Sequence, residues 1–206
     1  MRGTLIVFAR QPLPGRVKTR LAAAVGAQAA CDAYVELAGI ALGAAARTCG
    51  VAVELCVDGD PDDTLVRAWA AAAGARIARQ GRGDLGERMH RALCRAVARG
   101  TPAVLIGTDC PGYRASLIEQ AFDALAPDRA AAPSDAVFAP AEDGGYALVG
   151  VRRPQPALFG QMRWSSAHTM DDTRARCRAA GLRWHELPTL WDVDDAASLG
   201  RWRDGR

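Results

Sequence analysis

The chain has 206 residues, of which 50% are hydrophobic and 24% are charged, and its formal net charge is +3. These values predict one globular domain over residues 1–206, with a core large enough to be stable without disulfides or metals. The small net charge argues against a nucleic-acid partner. The six cysteines form no C-x-x-C pair, which argues against a zinc module and a disulfide framework.

We expect neither a signal peptide nor a membrane span. The first apolar run begins at Leu5, which leaves no room for the charged region and cleavage site of a secretory signal. We expect no apolar run to approach the roughly 20 residues that cross a bilayer. A cytoplasmic protein without a membrane partner is therefore predicted.

Strand and helix patterns alternate along almost the whole chain. Apolar runs predict strands at Leu5–Ala9, Val51–Val57, Ala75–Ala78, Val104–Gly107, Ala136–Pro140, Tyr146–Val151 and Leu182–Leu187. Helical patterns lie at Ala27–Arg47, Thr64–Ala73, Leu85–Arg99, Ser116–Leu125, Ala167–Ala180 and Ala196–Trp202. This alternation predicts an α/β fold whose mostly parallel sheet is covered by helices on both faces, with an antiparallel hairpin around residues 142–145.

The loop after the first strand is the most informative segment, and residues 8–21 read FARQPLPGRVKTRL. Two prolines and a glycine restrict its backbone. Four cations, Arg10, Arg16, Lys18 and Arg20, stand at the carboxyl end of the strand, where open α/β sheets bind ligands and where phosphate often lies at the next helix N-terminus. The loop predicts a polyphosphate site, and the alternative is a solvated basic face.

Two acidic segments could face this loop. Asp109 follows a buried strand, and a carboxylate opposite a phosphate loop suits Mg²⁺, which prefers oxygen ligands. The alternative is that Asp109 caps the next helix. Asp192 and Asp194 lie on one side of an extended segment with Val193 on the other, and they could complete a metal site. Alternatively, Asp194 or Asp195 caps the last helix.

A glycine-rich turn carries two more carboxylates. Glu142 and Asp143 precede Gly144 and Gly145, and glycines permit positive φ and the close approach of a ligand. A hairpin needs only one glycine, which favours a functional turn.

Two further loops are candidate binding segments. Gly83, Asp84 and Gly86 enter a predicted helix, where they could contact a nucleotide or form an ordinary turn. Trp164 and Ser165 offer an aromatic face and a hydroxyl, although core packing is the alternative for the tryptophan.

Five motifs occur in order over nearly the whole chain: residues 8–10 with 14–21, 83–89, 107–111, 141–146 and 192–194. Together they resemble the bacterial DUF2064 family, described as arsenosugar-biosynthesis-type glycosyltransferases among the nucleotide-diphospho-sugar transferases. The sequence departs from that pattern at Ser166, where threonine is usual, and at Asp195, where threonine often follows the Asp-x-Asp. The resemblance implies a GT-A-type, Rossmann-like three-layer fold related to molybdenum-cofactor guanylyltransferase and phospholactate guanylyltransferase.

The resemblance also implies roles for individual residues. Lys18 and Arg20 would neutralise phosphates, Asp109 would be the metal-binding acid, and Asp192 or Asp194 the second acid. Asp143 would face the acceptor.

These observations lead to a Mg²⁺-dependent (or Mn²⁺-dependent) transferase that moves a sugar from a nucleotide sugar to a small acceptor. Lys18 and Asp143 are the predicted catalytic residues, the latter as general base for an acceptor hydroxyl. Candidate acceptor contacts are Glu142, Gly144, Gly145, Trp164 and Ser165. The alternatives are a nucleotidylyltransferase that uses a nucleoside triphosphate and a phosphorylated acceptor, and a non-catalytic nucleotide-binding protein.

Overall fold

A single sheet organises the computed structural model, which describes residues 1–126, 133–160, 162–164 and 166–205. Its strands are Gly3–Arg10 (β1), Val51–Asp58 (β2), Arg76–Arg79 (β3), Ala103–Ile106 (β4), Ala136–Pro140 (β5), Tyr146–Val151 (β6) and Trp184–Glu186 (β7). The strand order is β3-β2-β1-β4-β6-β5-β7. Only β6 runs antiparallel to its neighbours, β4 and β5, among these described strands. The predicted mixed, mostly parallel sheet is confirmed.

Helices cover both faces of this sheet. They are Thr19–Val25 (α1), Ala27–Arg47 (α2), Thr64–Ala72 (α3), Leu85–Val97 (α4), Ala115–Leu125 (α5), Thr169–Ala179 (α6) and Ala196–Asp204 (α7). Helices α2, α3 and α5 share one apolar cluster with the sheet, and α4 and α6 share the other. The structure therefore has the three layers expected of a GT-A-type fold.

The central strand β1 shows why the sheet is buried on both sides. Leu5 and Val7 belong to the cluster under α2, whereas Ile6 and Phe8 belong to the cluster under α4. Alternate side chains of a strand point to opposite faces, so a continuous apolar run fills both layers. The chain turns to opposite sides of β1 when it enters β2 and β4, and the crevice between such strands is where open α/β sheets bind ligands.

Helix α2 qualifies the expectation about membranes. By length and composition alone its 21 residues could cross a bilayer, so the expectation that no apolar run approaches this length is wrong. Its apolar side packs in the core, where Tyr34, Leu37 and Leu42 are at most 5% exposed. Burial in the core accounts for its hydrophobicity.

Helix α1 is an element that the sequence patterns did not predict, because the predicted helix begins only at Ala27. Gly26, at φ 87°, ends α1 and begins α2. A positive φ is readily adopted by glycine, and it separates α1 from α2. The start of α1 therefore lies directly after the basic loop.

Candidate functional site

A cavity of about 470 Å³ opens at the carboxyl edge of β1 and β4. Pockets of this size commonly hold small molecules. The charged predicted site residues that line it are Arg10, Lys18, Arg20, Asp109, Asp143, Asp192 and Asp194. Residues from distant parts of the sequence thus meet at one site.

Lys18 joins two of these acids. Its Nζ forms ion pairs with Oδ1 of Asp109 and, at 2.8 Å, with Oδ1 of Asp194. The lysine side chain is 4% exposed, whereas the two aspartates are 49% and 46% exposed. Burial lowers the pKa of Lys18, but the two carboxylates outweigh it and the net pKa is raised. The ammonium is therefore held charged beneath the acid pair.

The backbone of Lys18 is also unusual. With φ 49° and ψ 47° it is the one residue other than glycine that has a positive φ in the described ranges. Such a conformation is disfavoured for a side chain of this kind and is commonly retained at functional sites. It immediately precedes α1 and places the ammonium against the acids.

A backbone hydrogen bond brings the Asp-Val-Asp segment to Asp109. The N–H of Val193 donates to the carbonyl oxygen of Asp109 at 3.1 Å. Val193 is fully buried, and Asp192 and Asp194 line the cavity. This confirms the predicted alternation. Asp109 does not cap the next helix, because the N-cap of α5 is Arg114.

Asp195 has a different role from its neighbours. Its side chain accepts from the N–H of Ser198 at 2.8 Å and forms a capping box at the start of α7. Of the two alternatives for this cap, Asp195 is the one observed, which leaves Asp194 free to pair with Lys18.

The acids influence each other inside the cavity. Burial raises the pKa of Asp192 to about 6, with further contributions from the nearby charges of Asp194 and Asp143. Asp143 accepts a hydrogen bond from the N–H of Gly145 at 2.8 Å, which fixes one of its carboxylate oxygens. A cation or a cationic ligand would relieve this repulsion.

The other basic residues of the first loop differ in position. Arg10 and Arg20 line the cavity, whereas Arg16 is exposed and lies outside its lining. The backbone N–H of Arg10 donates to the hydroxyl of Tyr34 at 2.7 Å, and that hydroxyl donates to the carbonyl of Arg10. Burial raises the pKa of Tyr34 to about 12. Tyr34 therefore anchors the end of β1 to α2 as a neutral phenol.

Gln80 and Arg88 form a wall of the cavity that sequence reasoning missed. Nε2 of the buried Gln80 donates to the carbonyls of Ala9 and Cys56, both at 3.1 Å. Its Oε1 accepts from Nη1 of Arg88 at 3.0 Å, and Asp58 accepts from the same nitrogen. Both N–H groups of the amide are used by the two carbonyls, which fixes Oε1 so that Gln80 positions Arg88. The sequence signal that could have identified Gln80 is a polar residue directly after a strand.

The glycine loop before α4 has a structural role. Residues 81–86 have the spacing G-x-G-x-x-G and enter a helix, but Asp84 already caps that helix by accepting from the N–H of Glu87 at 2.8 Å. Gly83, Asp84 and Gly86 lie outside the cavity lining. An added Cβ at Gly86 would lie 2.5 Å from the carbonyl oxygen of Phe159. Their proposed contacts with phosphate stay a prediction that this geometry does not favour.

The predicted acceptor residues are divided. Gly145 and Trp164 line the cavity, while Glu142 and Gly144 do not. Glu142 forms a salt bridge with Arg201 at 2.6 Å, and Gly144, at φ 87°, packs closely against the backbone of Ala167. Ser165 lies outside the described residues.

The indole of Trp164 meets Tyr146 edge to face, with 6.3 Å between ring centroids. Its Nε1 is buried and has no hydrogen-bond partner in the described ranges. Burial raises the pKa of Tyr146. The cavity lining therefore includes an aromatic surface, and Leu85 and Met89 add further apolar side chains to it.

The donor set suits a hard divalent cation. It consists of carboxylates, the ligands that Mg²⁺ prefers, and Mg²⁺ at nucleotide sites takes one or two carboxylates together with substrate phosphates and water. No group of three His, Cys, Asp or Glu side chains is arranged to hold a metal within the described part of the chain. The residues fit a metal site completed by a ligand better than a closed protein cage.

The DUF2064 profile, described as "Uncharacterized protein conserved in bacteria", matches residues 41–166. The chain belongs to the DUF2064 family. This chain is 33% identical to a protein from Desulfovibrio desulfuricans G20 that is provisionally assigned as a nucleotide-diphospho-sugar transferase. The match covers 98% of this chain and 86% of that one, with a TM-score of 0.85. No curated protein matches the sequence.

Solved structures with lower sequence identity also share the fold of this chain. CMP:2-keto-3-deoxy-manno-octonic acid synthetase, complexed with CTP, is 15% identical over 98% of this chain and 96% of its own, with a TM-score of 0.59. Glucosyl-3-phosphoglycerate synthase from Mycobacterium tuberculosis, in complex with Mn²⁺, UDP and glucosyl-3-phosphoglycerate, is 13% identical over 96% and 75%, with a TM-score of 0.53. These likenesses show that the chain shares its fold with both proteins.

Proposed function

We propose that the protein is a glycosyltransferase that moves a sugar from a nucleotide sugar to a small hydroxyl-bearing acceptor. The observation that carries this proposal is the convergence of Lys18 with Asp109 and Asp194 in one cavity at the carboxyl edge of the sheet. A buried cation beside half-exposed acids suits a ligand that carries both phosphate and a divalent cation.

The cations of the first loop bind the donor diphosphate. Arg10 and Arg20 line the cavity and carry fixed charge, and Lys18 is the cation nearest the acid pair. Their charge stabilises the nucleoside diphosphate as it leaves the sugar, because negative charge develops on the leaving oxygen. When bound by Asp109 with Asp192 or Asp194, Mg²⁺ or Mn²⁺ would supply further charge neutralisation there.

Asp143 is the proposed general base. It lines the same cavity, and its hydrogen bond from Gly145 holds the carboxylate in place. It accepts the proton of the acceptor hydroxyl as that oxygen forms its bond to the sugar. Gly145 and Trp164 also line the cavity, and we assign them to contacts with the acceptor.

The second candidate is nucleotidylyl transfer, in which a phosphorylated acceptor attacks the α-phosphate of a nucleoside triphosphate. The observation that favours it is the presence of Arg10, Lys18 and Arg20 in one cavity, because three cations suit the larger charge of a triphosphate. The two chemistries release different products, a nucleoside diphosphate and pyrophosphate.

A ligand screen tests the binding step that both chemistries share. Thermal unfolding is measured with nucleotide sugars and nucleoside triphosphates, with and without Mg²⁺, because a ligand that binds the native state raises its stability. We expect a nucleotide sugar to raise the unfolding temperature in a Mg²⁺-dependent manner, and the Asp109→Asn variant to lose that dependence. Stabilisation that is equal in both proteins contradicts the assignment of Asp109.

A further inference from the structure

We propose that the ammonium of Lys18 competes with the divalent cation for Asp109 and Asp194, so that the free protein binds metal weakly. This inference deepens the proposed function, since it concerns regulation of the same metal–diphosphate site. It requires no particular nucleotide, sugar or acceptor.

The first argument is the sharing of oxygen atoms. Nζ of Lys18 contacts Oδ1 of both acids, although the two aspartates stand 85 positions apart in the chain. A divalent ion bound by the same pair would have to share these oxygens or lie next to the ammonium. Two cations held by the same carboxylates repel strongly in a partly buried site. Binding of the divalent ion therefore weakens the ion pairs of the Lys18 ammonium, and those ion pairs weaken metal binding.

The second argument is burial. The side chain of Lys18 is 4% exposed, while each partner aspartate is about half exposed. The ammonium is shielded from water that would otherwise weaken its attraction to the acids. It is therefore a strong internal competitor, unlike a surface lysine in a solvated ion pair.

The third argument is backbone conformation. Lys18 has a φ of 49°, in a region where glycine and asparagine are much better tolerated than lysine. A long cationic side chain at this position implies a compensating interaction, and the two ion pairs provide one. Other cations of the cavity lack this arrangement: Arg20 lines it but forms no ion pair with described residues.

The test measures Mn²⁺ affinity of the nucleotide-free protein by isothermal titration, for the full chain stripped with a chelator. Lys18→Met removes the competing charge, and Arg20→Met is the matched control that removes a cavity cation without touching the acid pair. Thermal unfolding checks that each variant folds. Lys18→Asn serves where Lys18→Met does not fold, because asparagine tolerates the left-handed conformation.

We expect Lys18→Met or Lys18→Asn to bind Mn²⁺ at least about tenfold more tightly than the wild type, a factor equivalent to about 1.4 kcal/mol. Arg20→Met should change the affinity by less than about threefold, because Arg20 is exposed and its charge is screened by solvent and salt. Unchanged or weaker binding by the Lys18 variants, including no detectable binding by any protein, overturns the proposal. An equal gain in Arg20→Met also overturns it, since the effect would then be long-range charge. Failure of the proposed function would appear instead as absent turnover of nucleotide sugars.

Discussion

The backbone N–H of Val193 donates to the carbonyl oxygen of Asp109 at 3.1 Å, and so joins the last loop of the chain to the end of β4. This bond and the burial of Val193 hold Asp192 and Asp194 beside Asp109 without the help of the carboxylates. The acids of the cavity can therefore be replaced one at a time while the loop stays in position. Because the backbone of Val193 positions the loop and the carboxylates do not, mutation can test the role of each acid separately.

Replacement of the neighbouring acids Asp194 and Asp195 should affect different properties, turnover for Asp194 and stability for Asp195. Asp194→Asn removes a partner of Lys18, and we expect turnover to fall at least about 100-fold. Asp195→Ala removes the cap of α7 and should cost about 1 kcal/mol of stability with turnover retained. Steady-state kinetics and urea unfolding measure both effects. Loss of turnover in Asp195→Ala alone would contradict the assignment.

Gln80→Leu should damage both stability and donor binding. The change leaves the buried carbonyls of Ala9 and Cys56 without their side-chain donor and removes one of the acceptors of Arg88, which should cost about 1–3 kcal/mol in unfolding free energy. We expect KM for the donor to rise more than kcat falls, because Gln80 positions a wall of the cavity. Arg88→Met is the comparison variant, and it should raise KM with a smaller loss of stability. An unchanged KM in both variants would remove this wall from donor binding.

Two helical glycines offer a matched pair. An alanine methyl at Gly86 would lie 2.5 Å from the carbonyl oxygen of Phe159 and from the ring of Trp164, whereas at Gly39 it would meet nothing within 4 Å. Gly86→Ala should destabilise the protein by about 1–3 kcal/mol through overpacking. Gly39→Ala should be neutral or stabilising by up to about 1 kcal/mol. Equal effects on the unfolding free energy would show that the contact of α4 with Phe159 and Trp164 is loose.

The decrease in the free energy of unfolding at acid pH should depend in part on Asp135. Burial favours a raised pKa, but the N–H of Arg183 and the guanidinium of Arg152 outweigh it and hold the pKa of Asp135 below its ordinary value. A lowered folded-state pKa contributes stability above the unfolded-state value, and this contribution is lost as the pH falls through the folded-state pKa. The stability difference between wild type and Asp135→Asn should therefore shrink between about pH 5 and pH 3. A difference that is constant over this range would contradict the ionic contribution.

Local patterns predicted most of the fold. Helix α2 and strands β5 and β6 have the predicted bounds, because each has a long apolar pattern and clear flanking turns. Asp195 could be proposed as a cap because its side chain needs only the start of its own helix. The convergence of Asp109 with Asp192 and Asp194 followed from strand topology, since the carboxyl ends of parallel strands meet at one edge.

Other features depend on contacts between distant residues and could not be predicted. Glu54 is fully buried between Arg76 and Arg95, from β3 and α4, and its sequence position in an apolar strand gave no sign of these partners. The left-handed backbone of Lys18 and the hydrogen bonds of Gln80 to Ala9, Cys56 and Arg88 also arise from tertiary contacts. The glycines of residues 81–86 allowed two interpretations, a nucleotide contact or an ordinary turn, and tertiary contacts show only that Asp84 caps α4 and that Gly86 packs against Phe159 and Trp164.

The central claim is tested most directly by identifying the product released from nucleotide donors. The protein is incubated with a panel of nucleotide sugars and, separately, nucleoside triphosphates, in the presence of Mg²⁺ and candidate acceptors, with Asp109→Asn as the control. A glycosyltransferase releases nucleoside diphosphate from a nucleotide sugar, and the variant should do so at least about 100-fold more slowly. Pyrophosphate release from a triphosphate, without release of nucleoside diphosphate from any nucleotide sugar, would contradict the account.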